Sequence, residues 1–173
     1  MAGQLIQVAT TTVTSAVASV TLTGIDSDDV YMLAFNQVIG SSGNNNLEMR
    51  VTESGTPNTT SNYDWAVKKL DATTTFANQS VTNLDHFYLN IQVGNDPADF
   101  EENEGIVYIY NANNSSEYTF ISQETVYLNP FTAGLNGGQG GGVFTSASAV
   151  NGVNLFFSSG NIASGTFTLY KVL

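Results

Sequence analysis

Apolar side chains recur at every second position through most of this chain, which is the spacing of β-strands, and no stretch holds a helical period through three turns. The clearest case is the C-terminal block that begins at Val143. Its final run sets Phe167, Leu169 and Lys171 on one face and Thr166, Thr168, Tyr170 and Val172 on the other. Asn151-Gly152 predicts a tight hairpin turn between Ala149-Val150 and Val153, because both residues tolerate positive φ. Ser159-Gly160-Asn161 predicts the next turn. Near the start, Val13 to Leu22 is rich in Thr and Val and predicts a strand with Ala18, Val20 and Leu22 inward.

From Asp29 to Ile39 both faces are apolar: Val30, Met32, Ala34 and Val38 on one, Tyr31, Leu33, Phe35 and Ile39 on the other. That pattern predicts a central strand of a sandwich or a strand at a subunit contact. After a turn cluster from Gly40 to Asn46, Leu47, Met49 and Val51 alternate with Glu48, Arg50 and Thr52, which predicts a half-exposed strand. Tyr63, Trp65 and Val67 alternate with Asp64, Ala66 and Lys68, and Asp71 to Asn83 reads as a polar loop. Further strands are predicted through Phe87, Leu89, Ile91 and Val93, through Ile106 to Tyr110, and through Tyr118 to Leu128. About nine or ten strands with turn signals between them predict an all-β chain with a single antiparallel β-sandwich, jelly-roll-like. Residues 17–173 form that domain, and residues 1–16 are an N-terminal arm or its first strand.

Composition narrows the function classes. Of 173 residues only 11% are charged, and 15 acids against 4 bases leave a net charge of −11. Such a chain repels phosphate backbones and anionic lipid, so neither nucleic acid nor a membrane surface is an expected partner. The absence of cysteine rules out disulfides and thiol chemistry. Thr10-Thr11-Thr12 and Ser15 interrupt the uncharged N-terminal stretch, which does not have the form of a secretory signal or a membrane span, so the expectation is a soluble, unprocessed protein. Every charged residue except Lys171 lies between Asp26 and Glu124. The uncharged ends are either ordinary strands and Gly-rich loops or surfaces covered by protein, since interface cores are poor in charge.

Candidate chemistry is sparse. His86 is the one histidine, flanked by Asp85 and Phe87, which an extended strand would point to the opposite face. No G-x-S-x-G elbow accompanies it, and no catalytic residue is assigned. Paired carboxylates such as Asp64 and Asp85 suit glycoside hydrolysis, but 15 acids make such pairs inevitable. Trp65 with Tyr63, Tyr88, Tyr108 or Tyr110 would make a sugar-binding platform, against the simpler reading that these rings pack the core. Asp96, Asp99, Glu101, Glu102 and Glu104 crowd one short loop and are candidate calcium ligands, although the EF-hand spacing is missing. Asp26, Asp28 and Asp29 form a second acidic turn. Gly137, Gly138, Gly140, Gly141 and Gly142 lack the Lys-Ser/Thr of a phosphate loop; they predict a sharply turning loop or a close backbone approach and are candidate partner-contact positions.

The run Phe156-Phe157-Ser158-Ser159-Gly160-Asn161-Ile162-Ala163-Ser164-Gly165, followed by Phe167-Thr168-Leu169-Tyr170, resembles the C-terminal signature of small virion structural proteins of tailed bacteriophages, marine and cyanobacterial ones especially. Ser61-Asn62-Tyr63-Asp64-Trp65-Ala66 and Asn113-Asn114-Ser115-Ser116-Glu117-Tyr118 resemble the same group, which often has Gly where this chain has Lys171. The resemblance implies a non-enzymatic virion protein made in the host cytoplasm; a single compact domain without the long coiled-coil or repetitive shaft of a complete fibre favours the capsid decoration or cement type, bound to the major capsid protein. The alternative is a tail-fibre or tail-tip head that binds host glycan or protein. A homo-oligomer is expected from the apolar faces and uncharged ends; that it is a trimer is implied by the resemblance alone.

Overall fold

The computed structural model describes residues 3–73, 76–96, 101–130 and 134–173. Thirteen strands account for nearly all of its regular structure, and the described residues contain no helix. They are β1 (Leu5–Val13), β2 (Ser19–Thr23), β3 (Tyr31–Gly40), β4 (Asn45–Glu53), β5 (Thr56–Pro57), β6 (Tyr63–Asp71) and β7 (Ala77–Leu84), then β8 (Phe87–Val93), β9 (Asn103–Tyr110), β10 (Thr119–Asn129), β11 (Gly134–Phe144), β12 (Val150–Phe157) and β13 (Ile162–Val172). Eight of them form one sheet in the order β1-β13-β3-β9-β10-β11-β6-β7. The smaller sheet runs β2-β12-β4, and the far edge of β4 is shared by β5 at one end and β8 at the other. Every pairing is antiparallel, so the chain is an antiparallel β-sandwich of jelly-roll type.

The core lies between the sheets and is built from alternate residues of each strand. Tyr31, Leu33 and Phe35 of β3, Val107 and Ile109 of β9, and Phe167 and Leu169 of β13 meet Leu47, Met49 and Val51 of β4 and Val153 and Leu155 of β12, all buried. β3 is central in the large sheet, as its two apolar faces predict, and an irregularity between Phe35 and Val38, with Gln37 at a φ of 53°, shifts the inward set there. β10 alternates buried and open residues along its length, but its inward side includes Gln123 and Thr125. These polar groups hold β8 in place. Gln123 Nε2 and Thr125 Oγ1 both donate to Leu89 O at 3.1 Å, Tyr127 Oη donates to Ile91 O, and Gln123 Oε1 accepts from Trp65 Nε1 at 3.2 Å. Carbonyls on the outer side of an edge strand would otherwise be buried without partners.

Several expectations change. Asn151-Gly152 makes no hairpin turn but lies inside β12, where pairing shifts register between Val150 and Gly152. Asn151 Oδ1 there accepts from Thr52 Oγ1 at 2.9 Å and from the Gly55 amide at 3.0 Å, and a Cβ on Gly152 would meet Leu22 O of β2 at 2.2 Å. Two flanking strands turn a local turn signal into a bulge. Ala18 is exposed, because the chain breaks between β1 and β2, while Val20 and Leu22 are inward as expected. The Asp71 to Asn83 segment holds β7, whose Ala77 to Val81 pair with β6. Of the two readings of residues 1–16, arm or first strand, Leu5 to Val13 take the strand and pair with β13 from Val172 to Gly165. The Gly-rich run is a regular strand, β11, hydrogen-bonded on both sides, and not a loop. Its expected close backbone approach is to its own neighbours: a Cβ on Gly140 would lie 2.3 Å from Ala66 O and one on Gly141 2.2 Å from Ile121 O. Ser159-Gly160-Asn161 does turn the chain between β12 and β13, with Gly160 at a φ of 78°.

Candidate functional site

Two surfaces concentrate the chemistry, one on the outer face of each sheet. On the large sheet, strand register arranges the outward side chains in rows that run across the strands. One row reads Tyr108, Ser122, Gly141, Ala66, Ser80, from β9 through β10, β11 and β6 to β7. Beyond its first member this row has only short side chains. The row on one side reads Ile106, Glu124, Gln139, Lys68, Asn78, and the row on the other reads Tyr110, Phe120, Val143, Asp64. Taller walls therefore flank a low floor. At the β9 end the trough opens into a depression of about 530 Å³ lined by Tyr108, Tyr110, Ser122, Glu124 and Gln139. Tyr110 Oη and Ser122 Oγ are 3.1 Å apart, and Gln139 Nε2 donates to Glu124 Oε1 at 3.0 Å. A second depression of about 540 Å³ lies across the Glu124–Gln139 bar, bounded by Leu70, Glu104, Ile106 and Val126.

On the small sheet, β4 carries Glu48 and Arg50 outward, and the pairings place Glu48 between Phe156 of β12 and Tyr88 of β8. Of the expected half-exposed face only Arg50 stays partly open: Glu48 is 4% exposed between aromatic neighbours from distant strands, and Thr52 is 0% exposed, paired with Gly152 and Pro57. The bend between β7 and β8 adds Asp85 and His86. Asp85 is not on the opposite face of a strand from His86, as an extended reading has it, but turns back so that its Oδ1 lies 2.6 Å from His86 Nδ1. Its Oδ2 accepts from Arg50 Nη2, and Arg50 Nε donates to Asp85 O at 2.9 Å while its guanidinium sits 4.3 Å above the Phe156 ring. His86 Nε2 has no hydrogen bond and lies 3.5 Å from Glu48 Oε1. Burial pushes the Glu48 carboxyl up to about 7, with Asp85 adding to the rise and Asn46 and Arg50 opposing it. Burial holds the His86 imidazole below its ordinary value, against the pull of Asp85. For Asp85 burial works upward, but the bonds from His86 and Arg50 win and hold it below the usual carboxylate range. The cluster is thus a polar patch with Glu48 and His86 buried and Asp85 partly open to solvent, and His86 packs edge to face on Tyr88 at 4.6 Å.

The other sequence candidates are dispersed. Asp64 Oδ1 accepts from the Asn83 amide at 2.9 Å, so Asp64 and Asp85 serve different partners. Trp65 and Tyr63 are core residues, with Tyr63 Oη bound to Asn58 O at 2.8 Å, and of the proposed aromatic platform Tyr108 and Tyr110 reach the open face of the large sheet. In the acidic loop, Glu101 Oε2 accepts from the amides of Asn95 and Asp96 at 2.9 and 3.0 Å, and Glu104 Oε1 accepts from Gln37 N at 3.0 Å. Asp99 lies outside the described residues, and among the described residues no three His, Asp or Glu side chains gather as a metal group. The second acidic turn is the partner of the one charge near the C-terminus: Lys171 Nζ is 2.7 Å from Asp29 Oδ2 and donates to Ser27 Oγ at 2.8 Å. Gly137, Gly138 and Gly140 to Gly142 lie in β11, where Gly141 floors the trough.

No known family model matches the chain, and no curated protein matches it. Among solved structures, alginate lyase A1-II′, a member of polysaccharide lyase family 7, is similar over 88% of this chain and 64% of that one, at 8% identity and a TM-score of 0.23. A likeness of that size bears on neither activity nor substrate.

Proposed function

We propose that the protein is a non-enzymatic structural component of a bacteriophage particle, a capsid decoration or cement protein that assembles as a homo-oligomer on the outer capsid surface. The observation that carries this reading is the pair of open edges on the large sheet. β1 at one edge and β7 at the other contain no charged residue and no proline. Edge strands that stay unpaired are commonly guarded by charge, proline or strong bulges. Here one register irregularity in each strand is the guard, near Val8 in β1 and near Thr82 in β7. Leu5, Ile6 and Leu173 are exposed at the end of the β1 edge, where the Gln4 and Leu173 backbones bond to each other, and Phe76 and Val81 lie open at the other edge. In a protein with a net charge of −11, uncharged edges are where a second copy or a capsid protein can approach without repulsion. The covered Glu48–His86 cluster, 4% and 9% exposed, offers a substrate little access, which supports a non-enzymatic role.

Purified virions test this directly. A decoration protein is present at a simple fraction of the major capsid protein, and Ile6→Lys lowers its incorporation while the isolated domain stays folded. A copy number in the tens supports the alternative, a fibre or tail-tip head, which the trough on the large sheet favours. Absence from the particle overturns both.

A further inference from the structure

We propose that the crosswise trough on the large sheet binds a neutral oligosaccharide chain, wherever in a particle the protein sits. The floor formed by Ser122, Gly141, Ala66 and Ser80 spans four adjacent strands, which at ~4.8 Å per strand is about 14 Å, the length of a short run of sugar rings. Its depth comes from side-chain size alone, since the rows on either side carry Phe120 and Val143 on one wall and Glu124, Gln139 and Lys68 on the other. A flat ring can lie in such a channel.

The chemistry of the walls suits hydroxyl-bearing rings with apolar faces. Tyr108 and Tyr110 close one end and present aromatic surface for C–H faces to stack on, with phenolic oxygens for hydrogen bonds. Glu124 and Gln139 hold each other at 3.0 Å along this wall and offer a carboxylate acceptor and an amide, a pairing that lowers the ordering cost of binding. The wall charges are Asp64, Glu124 and Lys68, and the whole chain is at −11, so a polyanionic glycan is disfavoured. A peptide strand is disfavoured as well. β10, β11 and β6 are hydrogen-bonded on both sides and offer no free ladder.

The test is an amide chemical-shift titration of the isolated protein with maltohexaose, cellohexaose, mannohexaose and laminarihexaose at millimolar concentration, with oligogalacturonate as the polyanionic control. At least one neutral hexaose is expected to shift Ser122, Gly141 and Ala66, with little response to oligogalacturonate. Tyr108→Ala then weakens that binding about tenfold or more, and Ala66→Trp, which fills the floor from an exposed position, abolishes it with the melting temperature preserved. The proposal is overturned if none of the four neutral sugars shifts the trough, if oligogalacturonate binds as well as they do, or if Ala66→Trp leaves sugar binding intact. Loss of virion incorporation in Ala66→Trp without any sugar binding would make the trough a protein contact instead. Virion incorporation unchanged in a variant that loses sugar binding separates this inference from the assembly reading.

Discussion

Glu48 Oε1 and His86 Nε2 stand 3.5 Å apart beneath the outer surface of the small sheet, beyond the usual reach of a hydrogen bond, with both residues buried. On the far side of the imidazole, Asp85 binds Nδ1 and is itself held by Arg50. The two groups in the gap titrate in opposite senses. Glu48 is raised from 4.5 to about 7 and His86 is lowered from 6.5, both mainly by burial, so the fold favours the uncharged form of each.

The pH dependence follows from the signs. The folded state holds the Glu48 proton more tightly than the unfolded chain does, so this contribution to stability is complete below about 4.5 and is lost as pH rises to about 7. For His86 the sense reverses: its contribution is present above 6.5 and is lost as pH falls through the lowered folded value. Glu48→Gln is therefore expected to gain on the wild type as pH rises from 4.5 to 7, by at most about 3 kcal/mol. Urea melts at several pH values measure the difference, and a constant offset would contradict the assignment.

Glycine spacing in β11 gives a second expectation. Gly140→Ala places a Cβ 2.3 Å from Ala66 O, a backbone atom of β6 that cannot swing away, and is expected to cost about 1–3 kcal/mol or more. Gly138→Ala meets nothing closer than Thr125 Oγ1 at 3.4 Å and is expected to cost clearly less. Denaturant midpoints of the pair decide it, because equal losses would mean that strand propensity and not close approach sets the sequence.

Phe167→Ala and Leu169→Ala each remove a side chain with no exposed surface and are expected to cost about 2–5 kcal/mol. Thr166→Ala, on the other face of β13 and bonded at 3.2 Å to Thr12 near the surface, is expected to cost under about 1 kcal/mol. Thermal melts that rank the three otherwise would reverse the inward face of β13.

Calcium in the 96–104 loop would have to draw Glu101 from the amides of Asn95 and Asp96 and Glu104 from that of Gln37. Binding would raise the melting temperature by mass action, and Glu101→Gln would remove the rise. An unchanged melting temperature with saturating calcium and with chelator leaves Glu101 and Glu104 as acceptors of backbone amides alone.

The sequence by itself determined the fold class and most inward faces, because a strand's side chains alternate with a period of two whatever it pairs with. Phe167 and Leu169, Leu47 and Met49, and Val20 and Leu22 are all inward as their alternation predicts. Pairing is not local, and there the tertiary structure decided. Asn151-Gly152 has the composition of a turn, but β2 and β4 on either side of β12 make it a bulge. Gly137 to Gly142 and Ala77 to Leu84 lack the apolar alternation of a strand, and they are strands because β10 and β6 supply their hydrogen bonds. The trough and the Glu48–His86 contact have the same origin. Ser122, Gly141 and Ala66 are far apart in the chain and become one floor through register, and Glu48 is buried because Phe156 and Tyr88 arrive on either side of it from other strands.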